Sequence, residues 1–325
     1  MSILVTGGAG YIGSHTVRYL QEKGEDVIVV DNLQTGHRDS VNVEKFYKID
    51  LRDSDLDKVF KENNIEGVIH FAANSLVGVS VKEPLDYFDN NVYGTMCLLK
   101  AMMENNVDNI VFSSTAAVYG EPENAPILES DTTNPTNPYG ETKLTMEKMM
   151  KWFDKAYKTR FVSLRYFNAA GAHESGDIGE IHQPETHLIP LILQVPMGKR
   201  DKISIFGDDY NTPDGTCIRD YIHVWDLADA HYLAYKYLKE NNPSEIFNLG
   251  SGNGFSVKEV IDIAREVTNC DIPAEVVDRR EGDPAILVAS SIKIKEKLGW
   301  NPQKTNLHEI IKDAWNFHQK HPNGY

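Results

Sequence analysis

The chain has 325 residues, with 33 Lys and Arg against 48 Asp and Glu and a formal net charge of −15. That length suffices for one large α/β domain with a smaller one attached. The acidic balance excludes a nucleic-acid partner, which needs a basic face, but leaves room for one small phosphorylated ligand held by local cations or helix N-termini.

Hydrophobic residues make up 41% and charged residues 25%, an ordinary globular composition. No apolar run approaches the ~18 residues of a membrane span, so no membrane partner is expected. Met1–Thr6 reads directly as a strand, with no basic-then-apolar leader. Cys97, Cys217 and Cys270 form no CxxC pair, which predicts reduced thiols in a cytoplasmic protein. The 11 histidines include no HExxH and no other metal-ligand spacing, so no metal is expected.

In chain order, the predicted strands are Met1–Thr6, Asp26–Asp31, Lys45–Ile49, Val68–Ala72, Asn109–Ser114 and Phe161–Tyr166. Between them lie helical spacings: Leu56, Val59 and Phe60 in Asp53–Asn63, and Leu85, Phe88, Val92, Met96, Leu99 and Met103 in Pro84–Asn106. Repeated βα units imply a parallel sheet covered on both sides. After Gly171 the pattern loosens. His173–Thr186 and Gly207–Gly215 read as long loops, Ile246–Gly250 as a late strand, and Ser256–Glu259 as a capping box opening a helix to Thr268. The expected division is 1–171 for a dinucleotide and 172–325 for its substrate, with the late strand free to return to the first sheet.

The turn Thr6–Gly13 follows the first strand and opens a helix. Its Gly7, Gly10 and Gly13 let the chain turn, let pyrophosphate approach, and let the helix pack closely. The helix N-terminus then faces the phosphates. Asp31 ends the second strand, where a carboxylate accepts ribose hydroxyls and repels a 2′-phosphate, so NAD is expected rather than NADP.

Tyr139 and Lys143 match YxxxK, but so do Tyr19/Lys23, Tyr232/Lys236 and Tyr235/Lys239. Context separates them. Tyr139 alone follows a hydroxyl-bearing strand end, Ser113–Thr115, and opens a helix after a Pro-rich loop, which puts Tyr139 and Lys143 on one helix face. A free phenol titrates at about pH 10. A nearby ammonium and a cationic nicotinamide favour the phenolate, which would then take a proton from a sugar hydroxyl held by Thr115.

With these features in place, the sequence resembles the extended short-chain dehydrogenase/reductase superfamily, and within it the enzymes that epimerise UDP-sugars at C4. The resemblance runs along essentially the whole chain. It is carried by Thr6–Gly13, His70–Ala73, Asp89–Val92, Phe112–Gly120, Pro138–Lys143, Leu164–Gly171, Gly215–His223 and Arg279–Asp283. It implies a Rossmann-type doubly wound parallel sheet with a smaller C-terminal α/β substrate-binding domain. The implied activity is reversible 4-epimerisation of UDP-glucose and UDP-galactose through a 4-keto intermediate, with catalytic Tyr139, Lys143 and Thr115. Around the cofactor it places Gly7, Gly10, Tyr11, Ile12 and Gly13, then Asp31, Asn32, Leu33 and Gly36. Asp50 and Leu51 would lie by the adenine, with Phe71, Ala72, Ala73, Ser75, Asn90 and Phe167 further along the cofactor. Around UDP it places Asn168, His187, Leu188, Phe206, Arg219, Arg280 and Asp283. Arginine forks suit a diphosphate, and Phe206 offers a face to uracil.

Two positions depart from that family's pattern. Asn74-Ser75-Leu76 lacks a lysine that the family can carry near the nicotinamide ribose, and Leu287 is of intermediate bulk where the sugar's 2-substituent would sit. The alternatives are a 4-epimerase of UDP-N-acetylglucosamine or a UDP-uronic acid, and a non-catalytic NAD-sensing regulator. Ala116-Ala117 lacks the acid and base of nucleotide-sugar 4,6-dehydratases. The resemblance also implies a homodimer, with Leu85–Asn106 and Pro138–Tyr157 pairing into four helices. Met102, Met103, Met146, Met149 and Met150 would adapt across that interface or fill the monomer core.

Overall fold

The computed structural model describes residues 1–122, 124–280 and 283–325. The first half builds β1 (Ser2–Thr6), β2 (Asp26–Val30), β3 (Lys45–Tyr47), β4 (Ile65–His70), β5 (Asn109–Thr115) and β6 (Arg160–Tyr166). Short strands follow: β7 (Asn168–Ala170), β8 (Ile203–Phe206), β9 (Ile218–His223), β10 (Glu245–Leu249), β11 (Gly254–Ser256), β12 (Ala274–Val277) and β13 (Ile286–Leu287).

The main sheet has seven strands in the order β10-β6-β5-β4-β1-β2-β3. Every pair in it is parallel. It is the Rossmann-type doubly wound order, which reverses direction between β1 and β4. Both faces are covered. Val5, Val17, Val29, Val162 and Phe247 pack on one, and Leu4, Ile28, Val68, Leu98 and Phe112 on the other.

β4 ends at His70 rather than running through Ala72. Phe71 and Ala72 both donate to the Thr6 carbonyl, at 2.8 and 3.1 Å, and so leave the ladder to fold over the glycine turn. The predicted helix Pro84–Asn106 is interrupted. Helical turns at Pro84–Tyr87 and Gly94–Glu104 flank a π-helical stretch at Phe88–Tyr93. Such stretches often accompany functional sites, and this one carries Asn90 and the buried Asn91. The helix Pro138–Tyr157 starts from an Asn137 cap that accepts from the Gly140 N–H at 2.9 Å, with Pro138 in the first turn.

The late strand β10 pairs with β6. The helix Val224–Lys239 and the segment holding Ile294 and Trp300 also bury their apolar residues in the first core. The chain therefore does not part cleanly at residue 171. The smaller unit has its own core, in which Ile189, Ile192, Ile261, Ile310 and Ile311 meet. It includes the helix Val257–Thr268, whose Ser256/Glu259 capping box is fully formed.

Met102, Met146 and Met150 are fully buried in the monomer core, and Met149 packs against it, so these four fill the fold itself. Met103 is exposed, as are Leu85, Phe88, Met96 and Trp152 on the same pair of helical segments.

Candidate active site

A cleft of about 870 Å³ opens at the carboxyl ends of β1, β4, β5 and β6, where an open parallel sheet binds its ligands. Gly7 has φ +71°, and a Cβ there would stand 2.5 Å from the Ala72 nitrogen. A Cβ on Gly13 would stand 2.1 Å from the Gly7 carbonyl oxygen. Side chains are excluded at both positions, and the start of the helix Tyr11–Glu22 is left bare toward the cleft.

Asp31 is buried at the end of β2. Its carboxylate accepts from the Ala9 N–H at 2.9 Å and the Leu33 N–H at 2.8 Å. Burial raises its pKa against those two hydrogen bonds. A carboxylate so placed is stabilised by further donors, and a pair of ribose hydroxyls supplies them. Asp50 is held by Arg52, whose Nε lies 2.7 Å away, and by the Asn32 amide at 2.9 Å. The bare turn, the buried carboxylate and the cleft fit a dinucleotide such as NAD.

Asn91 ties the cofactor side to the catalytic side. It accepts from the Asn74 N–H at 2.7 Å and donates to the Asn74 carbonyl and the Thr142 hydroxyl, both at 3.0 Å. Asn74 and Ser75 line the cleft, and the helix of Thr142 bears Tyr139 and Lys143.

Tyr139, Lys143 and Thr115 all line the same cleft. The Lys143 Nζ donates to the Ser113 carbonyl at 2.8 Å and stands 5.9 Å from the Tyr139 ring centre. Burial pushes the Tyr139 phenol up to about 12, against a hydrogen bond with Thr115 that favours the phenolate. Burial likewise brings the Lys143 ammonium down to about 7, with Glu147 opposing. The expected depression of the phenol is therefore not produced by the protein alone. Both groups are desolvated, and the ammonium that was to favour the phenolate is itself disfavoured.

The other three YxxxK pairs lie on the helix Tyr11–Glu22 with its C-cap Lys23 and on the helix Val224–Lys239, outside the cleft. The Tyr19 hydroxyl donates to Asp229 at 2.6 Å, and Lys236 and Lys239 sit over the rings of Tyr232 and Tyr235.

At the far end, Asn168, His187, Arg219, Arg280, Asp283 and Leu287 line the cleft. Three expected contacts do not: Leu33, Leu188 and Phe206 are absent from its wall. Leu33 instead contributes its backbone N–H to Asp31. Leu188 begins the next helix, where it packs against the second core. The face of Phe206 carries the Arg280 guanidinium 3.9 Å from its centre, so the ring meets a cation where uracil was expected. Arg219 pairs with Asp283, so these two would meet a ligand as a unit. Glu281 and Gly282 of the Arg279–Asp283 block lie outside the described residues.

Sequence reasoning passed over Tyr166, whose hydroxyl bonds Ser113 beside the catalytic pair. Lys82 also lines the cleft.

Fold and cleft together define a dinucleotide-dependent enzyme. A family model described as "NAD dependent epimerase/dehydratase family" matches residues 3–250. The UDP-glucose 4-epimerase of Halalkalibacterium halodurans is 60% identical, covering 100% of this chain and 98% of its own length. A solved UDP-glucose 4-epimerase superposes with a TM-score of 0.99 at 61% identity, covering 100% of this chain and 99% of that one. Another, from Bifidobacterium longum in complex with NAD+ and UDP, has a TM-score of 0.94 at 41% identity, with 100% of both chains covered. The chain belongs to the NAD dependent epimerase/dehydratase family, and NAD is its cofactor. The resemblance read from the motifs to nucleotide-sugar 4-epimerases is thereby borne out.

Proposed function

We propose that the protein interconverts UDP-glucose and UDP-galactose by reversible epimerisation at C4. The observation that carries this reading is the convergence of Tyr139, Thr115 and Lys143 on the cleft that also holds the glycine turn and Asp31. When bound, NAD would supply reversible hydride acceptance at C4′ and a positive charge that favours the phenolate. Tyr139 takes the 4′-hydroxyl proton, and Thr115 shares that oxygen. The 4-keto sugar turns about its link to the diphosphate so that the hydride comes back to the opposite face of C4′, and Tyr139 returns the proton to the 4′-oxygen. Arg219 and Arg280 hold the diphosphate, while Asn168, the Nε2 side of His187 and Asp283 fix the rest of UDP. Gly7, Gly10, Gly13 and Asp31 hold the dinucleotide.

In the decisive assay, purified protein is incubated with UDP-galactose without added NAD. UDP-glucose is expected to form with no accumulation of reduced cofactor. If none forms even after NAD is added, the reading fails. Leu287 lines the cleft, and its intermediate bulk by itself neither admits nor bars an N-acetyl group on the sugar. UDP-N-acetylglucosamine and UDP-glucuronic acid assayed beside UDP-glucose will rank the three.

Asp31 also fixes the cofactor. Its two backbone hydrogen bonds keep the carboxylate from turning away, and like charges brought together cost several kcal/mol. Cofactor-free protein titrated with each dinucleotide is expected to bind NAD about 100-fold more tightly than NADP. Equal affinity would remove the role assigned to Asp31.

The proposed division of labour gives residues 1–171, with the returning β10, to NAD, and most of 172–325 to the UDP-sugar. The exposed Leu85, Phe88, Met96 and Trp152 support a homodimer formed through the helical segments 85–106 and 138–157. Sedimentation is expected to give twice the chain mass, falling to one chain for Trp152→Glu. Free Cys97, Cys217 and Cys270 support a reducing, cytoplasmic setting. Among the described residues, no helix is long and apolar enough to cross a membrane.

A further inference from the structure

We propose that Glu180, His182, Glu185 and His187 form a binding site for one zinc-class divalent cation at the rim of the cleft. One ligand atom from each residue lies within 4.8 Å of all the others. The His187 Nδ1 is 2.9 Å from the nearer Glu180 oxygen and 3.0 Å from Glu185. The His182 Nδ1 is 3.2 Å from Glu180 and 3.6 Å from Glu185. A tetrahedral ion with bonds of 2.0–2.2 Å holds its ligands about 3.3 Å apart; the histidine–glutamate separations, each taken to the nearer Glu185 oxygen, lie around that value, and the wider spacings within the 4.8 Å span would close when the ion binds.

Proton counting points the same way. Each imidazole nitrogen carries at most one proton, yet each of these two faces two carboxylates. The His182 Nδ1 is buried and makes no hydrogen bond among the described residues. A cation at the centre satisfies all four contacts at once. Two carboxylates and two neutral imidazoles also cancel its charge.

The carboxylate of Glu185 is already aimed. One of its oxygens accepts the Thr186 and His187 backbone N–H groups, each at 2.8 Å. Imidazole and carboxylate ligands suit zinc, and four protein ligands leave no open position, the mark of a structural site. The cation would clip the long loop after Gly171 to the start of the helix Leu188–Leu193. His182 also meets the ring of Tyr11 edge-on at 6.4 Å, so the clip reaches the glycine turn. The spacing ExHxxExH differs from the familiar zinc pattern HExxH.

The test uses the full-length protein, stripped of metal by dialysis and titrated with Zn²⁺ by calorimetry. One ion per chain is expected, with micromolar or tighter affinity and a melting temperature raised by about 5 °C at saturation. His182→Ala and Glu185→Gln are expected to weaken binding on the order of 100-fold. Absence of saturable binding by the wild type overturns the proposal, as does wild-type affinity in both variants. Should the variants fail to fold, Co²⁺ added to the stripped wild type decides the matter. Strong visible bands of four-coordinate Co²⁺ support the site, and the weak spectrum of the hydrated ion refutes it.

Discussion

Tyr139→Phe is expected to lower kcat for UDP-galactose by about 10²–10⁴-fold, the range lost when a positioned acid–base group is removed. Fold and cofactor content should be unchanged. The substitution keeps the ring and deletes one hydroxyl, whose hydrogen bond in the protein is with Thr115. The melting temperature is therefore expected to move by no more than ~1 °C. Because the phenol and Thr115 act on the same sugar oxygen, Thr115→Val added to Tyr139→Phe should cost little beyond the single change. Steady-state assays and released-NAD measurements on both variants test this. Turnover by Tyr139→Phe within tenfold of the wild type would assign the proton transfer to another group.

Arg165→Leu is expected to destabilise the fold by about 3–5 kcal/mol, because it leaves a buried carboxylate unpaired. Glu147 is fully buried. It accepts from the Arg165 Nε at 2.9 Å, from another guanidinium nitrogen at 2.6 Å and from the Ser114 hydroxyl at 2.6 Å. Arg165 also donates to the Tyr119 hydroxyl at 2.9 Å, and Tyr119 donates to Asn248 on β10 at 2.7 Å. The network therefore joins β5, β6, β10 and the catalytic helix. Thermal melts are expected to fall on the order of 10 °C for Arg165→Leu. Adding Glu147→Leu should restore part of that loss, since removing both charges is far less costly than stranding one. Activity is expected to suffer as well, because Glu147 sits one helical turn beyond Lys143 and favours its charged form. A melting change below 2 °C in the single variant would show that the carboxylate finds water or another partner.

The parts of the site that are legible in sequence are those written into short, local stretches. The glycine turn announces itself because backbone must approach backbone at Gly7 and Gly13, and no other residue fits there. Tyr139 and Lys143 stand out from three decoys because they open a helix after a Pro-rich loop and follow the hydroxyl-bearing end of a strand. What escapes is long-range. Tyr166 reaches Ser113, 53 residues away, and Asn91 reaches Thr142, 51 residues away. Neither pairing leaves a periodic trace. The π-helical stretch at Phe88–Tyr93 widens one turn inside an otherwise regular apolar pattern, and that pattern reads as one helix. Arg280 over Phe206 is equally silent: an aromatic and an arginine far apart in sequence meet only once β8 is in place. Desolvation hides in the same way. The phenol at about 12 and the ammonium at about 7 reflect how deeply the helix is set into the fold.

The return of the helix Val224–Lys239, of β10 and of Trp300 to the first core bears on motion. The polypeptide is stitched back and forth between the two lobes, so a hinge between them would have to bend every stitch together. Opening and shutting of the binding crevice is thus expected of the irregular segment 172–187 at its mouth, to the extent that the proposed cation leaves it free. The lobes themselves are expected to keep their separation as that segment moves.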